Sequence, residues 1–229
     1  MSNVGFRIFT QINRPEPSLI EGFRGVPAAN IGDCLNRSSQ LDARISKISK
    51  GNVLGPAFTV KSRAGDNLLL HKALDMAQPG DVIVFDAHGD LTNAITGELM
   101  MQTAVRKKLG GVIIDGAIRD LATLREMDLP IFAAGVTPAG PYKDGPGEIN
   151  VPVSIGSVVV HPGDIIVGDD DGIVVVRPAD AADIAAKARK KHAAEEEKMA
   201  SIKAGTLNTD WIDKELSAKG CEIIDGVYQ

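Results

Sequence analysis

Residues 97–120, GELMMQTAVRKKLGGVIIDGAIRD, decide the fold. A helix opens at Gly97-Glu98, an apolar strand follows at Val112-Ile113-Ile114, and Arg119-Asp120 sits in the turn beyond it. Short apolar runs that alternate with helices of ten or more residues build a parallel sheet. The pattern repeats outward from this stretch. Upstream, Gly55 to Val60 reads as a strand, Asp66 to Ala77 as an amphipathic helix capped by Asp66, and Val82-Ile83-Val84-Phe85 as a strand entered through a Pro79-Gly80-Asp81 turn. Downstream, 119–127 reads as a helix and 131–134 as a strand. The middle of the chain is therefore expected to form a parallel sheet covered on both faces.

Around this centre the signals are more local. The first 25 residues are polar and proline-bearing, with a short helix from Leu19 to Phe23, and Ala28 to Arg37 reads as a second helix with Asp33 near its middle. A Gly/Pro-rich loop, Gly135 to Asn150, ends the alternation. Short β segments follow at 151–155, 158–161, 165–168 and 173–176, with a second P-G-D turn at Pro162-Gly163-Asp164. From Pro178 to Ala204 the Ala/Lys/Glu composition predicts one long helix, and the tail from Asn208 to Gln229 a further one around Trp211 to Ala218. Residues 1–229 are read as one α/β domain, with 178–229 its helical C-terminal extension.

Composition narrows the function. Of the 229 residues 44% are hydrophobic and 24% charged, which is globular rather than disordered. A net charge of −5 and only 4% aromatic residues disfavour nucleic-acid binding, since both phosphate neutralisation and base stacking lack their side chains. Cys34 and Cys221 form no C-x-x-C, so a disulfide framework is not expected. The N-terminus has no basic segment followed by an apolar run, and no stretch approaches the ~20 apolar residues of a membrane span. The expectation is a soluble cytoplasmic protein.

The candidate chemistry lies at two turns. Arg119-Asp120 falls just past the carboxyl end of a buried strand, where open α/β sheets bind ligands. Gly97-Glu98-Leu99-Met100 opens a helix whose unpaired N–H groups suit an anion, and Gly97 allows close approach to the backbone. Other features read as structure. Asp169-Asp170-Asp171-Gly172 is a β-turn, because no glutamate follows at calcium-loop spacing. His71, His88, His161 and His192 make no i,i+4 zinc pair, and His88 reads as a loop histidine after a strand. There is no G-x-G-x-x-G after a strand, no P-loop and no Gly-x-Ser-x-Gly. The lysines cluster on polar helix faces, which disfavours a Schiff-base mechanism, and Glu195-Glu196-Glu197 reads as a solvated face.

The chain from about Val26 to Ala204 resembles the RraA-like family, which includes the 4-hydroxy-4-methyl-2-oxoglutarate aldolases. The resemblance rests on Asp33, Gly65-Asp66-Asn67, Gly89-Asp90 with Asn93, Gly97-Glu98-Leu99 and Asp115-Gly116-Ala117-Ile118-Arg119-Asp120. Twenty residues separate Glu98 from Arg119, similar to the family's acidic-x20-Arg-Asp pattern. It implies a swivelling β/β/α fold, a layered sheet covered by helices with a long C-terminal helix, and a metal-dependent class II pyruvate aldolase with oxaloacetate decarboxylase side activity. Asp120 is then the ligand of Mg²⁺ or Mn²⁺, Arg119 the grip on the pyruvate unit, and Glu98 the holder of metal-bound water. The N–H groups of Leu99 and Met100, beside Gly97, take the substrate carboxylate, and a metal-ordered water is the expected base. The family implies a homotrimer or dimer of trimers, with one of Glu195, Glu196 or Glu197 reaching a neighbour's site. Thr123 stands where the pattern often has an acidic residue. The family also includes regulators that bind ribonuclease E, which leaves a non-catalytic protein-binding role as the alternative. It includes proteins labelled as menaquinone methyltransferases too, a role disfavoured here by the missing Gly-rich cofactor loop.

Overall fold

Four strands with apolar side chains on both faces lie side by side, and this double-sided burial explains why their sequences read as unbroken hydrophobic runs. The computed structural model describes residues 3–227; Tyr228 and Gln229, the end of the predicted tail, lie outside the described residues, as do Met1 and Ser2. In chain order the elements are β1 (Phe6–Ile8), α1 (Pro17–Glu21), α2 (Ala28–Cys34), β2 (Ser46–Lys47), β3 (Val53–Ser62), α3 (Leu68–Met76), β4 (Val82–Thr96), α4 (Glu98–Arg106) and β5 (Gly111–Ile118). There follow α5 (Leu121–Arg125), β6 (Ile131–Val136), β7 (Gly147–Ile149), β8 (Val153–Ile155), β9 (Val158–Val160), β10 (Ile165–Asp169), β11 (Gly172–Val176), α6 (Ala181–Lys203) and α7 (Asp210–Ala218).

Strands β3, β4, β5 and β6 are parallel neighbours in the order β1-β7-β3-β4-β5-β6-β2. Alternation along each strand divides the core in two. Phe58, Val60, Ile83, Phe85, Val112, Ile114 and Ile131 face α3, α4 and α5 through Leu70, Ala73, Met101, Ala104 and Leu124. Ala57, Val82, Val84, Ile113 and Phe132 face the other way, onto Leu41, Ile45, the β8–β9 hairpin and the β10–β11 pair. A third apolar cluster joins α2 and the first turns of α6 to the far side of β10 and β11.

The fold is thus the layered β/β/α arrangement, and one of the two covers is β rather than helix. Two sequence expectations change in consequence. β4 does not stop at Phe85 but runs on to Thr96, with register shifts against β5 after Asp86, Asp90 and Ala94. His88 stands in this bulged region at φ +60°, half-exposed, with Nδ1 3.4 Å from Asp86 Oδ1, not in a free loop. The Gly/Pro-rich segment contains β7, antiparallel to β3 and parallel to β1.

The chain divides into two compact units, Met1–Arg189 and Lys190–Gln229. In the second, α7 buries no residue, and Glu195, Glu196 and Glu197 are exposed on α6, where Lys191–Glu195 and His192–Glu196 form i,i+4 pairs. Among the described residues no helix is long and apolar enough to cross a membrane, and both cysteines are free.

Charges also cross the sheet in register. Arg7 faces Glu148, Glu148 faces Lys61, Lys61 faces Asp86, and Asp86 faces Asp115. Asp115 is 2% exposed, and Arg44 grips it with two bonds of 2.5 and 2.9 Å while Gly156 N–H adds a third at 3.2 Å. Removing the guanidinium strands a buried carboxylate, which costs about 3–5 kcal/mol. Arg44→Ala is therefore expected to lower urea-unfolding stability by about 3 kcal/mol, and adding Asp115→Asn should restore part of it.

Candidate active site

The end of β5 determines where the site forms. Arg119 N–H donates to Thr96 C=O at 3.0 Å, which ties the Arg119 backbone to the last residue of β4. Asp120 then adopts φ 60°, ψ 35°, a left-handed conformation that aspartate tolerates better than most residues. That twist redirects its side chain. Asp120 precedes α5 and its C=O accepts from Thr123 and Leu124 N–H, but its carboxylate makes no cap bond there. Asp120 Oδ2 instead accepts Glu98 N–H at 2.9 Å, capping the neighbouring helix α4.

Gly97 makes this contact possible. Its backbone is extended, so any residue could adopt its φ, but a Cβ there would press into Asp120 Oδ2 and approach Arg119 Cγ. With Glu98 N–H taken by Asp120, Leu99 and Met100 are left with first-turn N–H groups that have no intrahelical acceptor. They present donors and the positive end of the helix dipole to the same space.

That space is a cleft of about 190 Å³, the scale of a small metabolite, between the ends of β4 and β5, α3, α4 and the loop around 141–143. Gly97, Leu99, Met100, Arg119 and Asp120 all line it. Arg119 Nε lies 3.9 Å from Asp120 Oδ2, a loose pair that leaves both side chains nearly half exposed and available. Glu98 reaches Asp120 through its N–H, and its side chain is not part of this lining. Asp33 pairs with Arg37, Asp90 with the Thr92 hydroxyl, and Asp115 with Arg44; none of the three lines the cleft.

Two lining residues carried no local signal in the sequence. Lys143 comes from the Gly/Pro-rich segment and His71 from α3. Desolvation, and then the charge of Lys143, hold the His71 imidazole below its usual pKa, so it is neutral at pH 7. Arg119 and Lys143 thus outnumber Asp120, and the cleft favours an anion.

The Lys143 loop is clamped in place. Asn93 Nδ2 donates to Gly140 C=O at 2.6 Å, and Tyr142 exchanges backbone bonds with Gly65 and Asn67. Asp66, fully buried, accepts N–H bonds from Leu68 (2.9 Å), Asp144 (2.7 Å) and Gly145 (2.9 Å), with Arg63 at 3.3 Å. The helix starts two residues later than the sequence suggested, with Asn67 at its N-cap, but Asp66 still satisfies its first N–H, at Leu68, and pins the loop as well.

Among the described residues, no group of three His, Cys, Asp or Glu side chains converges as a metal cage. A soft or tightly caged metal does not match such a site. A hard hydrated cation such as Mg²⁺ keeps most of its waters and needs only one or two carboxylates. Asp120, with Oδ2 held by Glu98 N–H, fits that demand through its other oxygen.

A family model described as RraA-like, Aldolase/RraA, matches residues 28–175. A protein of Halalkalibacterium halodurans named "Putative 4-hydroxy-4-methyl-2-oxoglutarate aldolase" is 41% identical over 192 residues, which cover 83% of this chain and 91% of that one. An uncharacterized protein from Pseudomonas syringae pv. tomato superposes with a TM-score of 0.75 at 25% identity, covering 84% of this chain and 96% of its own. Streptomyces coelicolor RraAS2, named as an unusual member of the RNase ES inhibitor RraA protein family, gives 0.73 at 31% identity, covering 81% and 98%.

Burial pushes the Asp66 carboxyl up, but the N–H bonds from Asp144, Leu68 and Gly145, with Arg63, outweigh it and hold the pKa below the ordinary value. A depressed carboxyl contributes stability that is complete above its unfolded pKa of about 3.9 and is lost as pH falls through the folded value. Asp66→Asn is expected to cost about 1–3 kcal/mol at pH 7 in urea unfolding. The gap from wild type should narrow as pH drops below about 4.

Proposed function

The chain belongs to the RraA-like family, and from that membership together with its cleft we propose a divalent-metal-dependent aldolase. It cleaves 4-hydroxy-4-methyl-2-oxoglutarate, or a related 4-hydroxy-2-keto acid, to pyruvate and a second keto acid. The observation that carries this reading is the meeting of Arg119, Asp120 and the free N–H groups of Leu99 and Met100 in one small cleft.

The substrate's first carboxylate is assigned to the Leu99 and Met100 N–H groups, where the helix dipole favours negative charge. Arg119 lies beside it to hold the pyruvate unit. Breaking the C3–C4 bond leaves an enolate, so the barrier depends on stabilising that oxyanion, and Arg119 supplies a fixed positive charge. Lys143, which also lines the cleft, suits the second carboxylate of a diacid. Asp120 is assigned to hold Mg²⁺ or Mn²⁺, and Glu98, whose side chain stands outside the cleft lining, is assigned only to the outer waters of that ion; when bound, the ion would supply a Lewis acid for the 2-keto carboxylate. Oxaloacetate decarboxylation passes through the same enolate and is the expected side activity.

We assign the homotrimer or dimer of trimers as the assembly. Leu99, 83% exposed at the cleft, supports closure of the site by a second copy. The other reading, a ribonuclease-binding regulator, draws on the name of the Streptomyces structure and requires no charged cleft.

Pyruvate release from 4-hydroxy-4-methyl-2-oxoglutarate and oxaloacetate separates the two. The wild type should turn over both with Mg²⁺ and stop with EDTA, and borohydride should trap no substrate on lysine. Arg119→Lys should lose on the order of a hundredfold in turnover, because an ammonium lacks the planar fork. Full turnover after exhaustive chelation, or unchanged cleavage in Arg119→Ala, would contradict this assignment. A regulator would show no cleavage even as wild type.

A further inference from the structure

Among the described residues, Asn67 Oδ1 and Thr96 Oγ1 are buried side-chain oxygens with no protein partner, and both residues stand in the wall of the cleft that holds Arg119 and Asp120. Asn67 is 2% exposed and Thr96 3%. Buried polar atoms are nearly always paired, so two orphans in one wall of one cleft call for an explanation.

Their surroundings fix their roles. Asn67 Nδ2 donates to Ile95 C=O at 2.9 Å and to Met100 Sδ at 3.4 Å. Turning the amide over would set its oxygen against the Ile95 carbonyl and strand the NH₂ group, so Oδ1 is the unpaired end. It can only accept, and a partner must bring an O–H or N–H. Thr96 Oγ1 can both accept and donate, and its own C=O already receives Arg119 N–H, which places it next to the residue assigned to pyruvate. The neighbouring Ile95, fully buried, offers no polar atom of its own side chain.

We propose that Asn67 and Thr96 form a hydroxyl-reading pair that makes the cleft selective for 4-hydroxy-2-keto acids over keto acids without that hydroxyl. The proposal rests on the aldolase reading and assigns the selectivity for its substrate to two residues of the cleft wall. The C4 O–H is shared between Asn67 Oδ1 and a water beside it, and the C4 oxygen accepts from the Thr96 hydroxyl. In cleavage that hydroxyl loses its proton to water and the C4–O bond becomes a carbonyl. The C3–C4 pair moves onto the pyruvate unit as an enolate, which then takes a proton at C3. Asn67 and Thr96 orient the O–H for this step and are positioning residues. Oxaloacetate has no hydroxyl at that carbon, so its decarboxylation does not use the pair in this way.

Thr96→Val keeps the shape and β-branching and deletes only the orphan hydroxyl. Its melting temperature should equal or exceed that of the wild type, because a buried unpaired group is replaced by a methyl. Its kcat/KM for 4-hydroxy-4-methyl-2-oxoglutarate should fall about tenfold further than its kcat/KM for oxaloacetate, since a site built to bond a hydroxyl discriminates by that bond. Asn67→Leu should shift the same ratio in the same direction. An equal loss on both substrates would overturn the inference, and so would a melting temperature several degrees lower in Thr96→Val, which would reveal a structural partner for the hydroxyl. A wild type active on both substrates with an unchanged ratio in the variants sinks only this inference. A wild type that turns over neither sinks the aldolase reading beneath it.

Discussion

The bond from Glu98 N–H to the Asp120 carboxylate is the constraint on which the rest of the site depends. It joins the end of β5 to the start of α4, and it needs three things at once. Asp120 must hold a left-handed backbone so that its side chain turns away from α5. Gly97 must lack a Cβ so that the carboxylate can lie close to α4. Thr96 C=O must hold Arg119 N–H so that the guanidinium stays over the same cleft. When all three are met, one end of the sheet offers a carboxylate, a cation and free helix N–H groups within one small volume.

The remainder of the structure keeps these ends in place. The helix-side core, from Phe58 through Ile114, fixes α3 and α4 against the sheet. The opposite face carries the charged row that ends in Asp115, held there by Arg44. Asp66 works between the two, using its two oxygens to cap α3 and to hold the loop that brings Lys143 to the cleft. Of the four buried side-chain atoms without a partner among the described residues, the oxygens of Asn67 and Thr96 are the two that belong to residues of the cleft.

Much of the sheet was legible because parallel strands buried on both faces leave continuous apolar runs, as at Val112-Ile113-Ile114. The identity of the second cover was not legible, since β10 reaches β3 from more than a hundred residues away and no local pattern encodes that pairing. The extension of β4 past Phe85 was hidden for a similar reason. Asp86 to Asp90 is polar and glycine-bearing and passes through a bulge, with His88 and Gly89 left-handed, before Asp90 pairs with β5 again. At the site, position marked Arg119, Asp120 and the α4 N-terminus as candidates, and their assigned roles came from the family resemblance. Placing Asp120 at the start of a helix was correct, but the sequence did not reveal that its side chain caps a different helix, because that depends on one backbone angle. Lys143 and His71 join the cleft through tertiary contacts and left no periodic trace.

Gly97→Ala tests the central constraint most directly, measured as turnover of 4-hydroxy-4-methyl-2-oxoglutarate beside the melting temperature. The backbone at this position accepts alanine without strain, so the added methyl acts by displacing the Asp120 carboxylate. The account predicts a melting temperature within a few degrees of wild type and a fall in turnover on the order of a hundredfold, the usual effect of a misplacement of about 1 Å in a catalytic group. Wild-type turnover in Gly97→Ala would contradict it, because the site would then not depend on Asp120 being seated against α4.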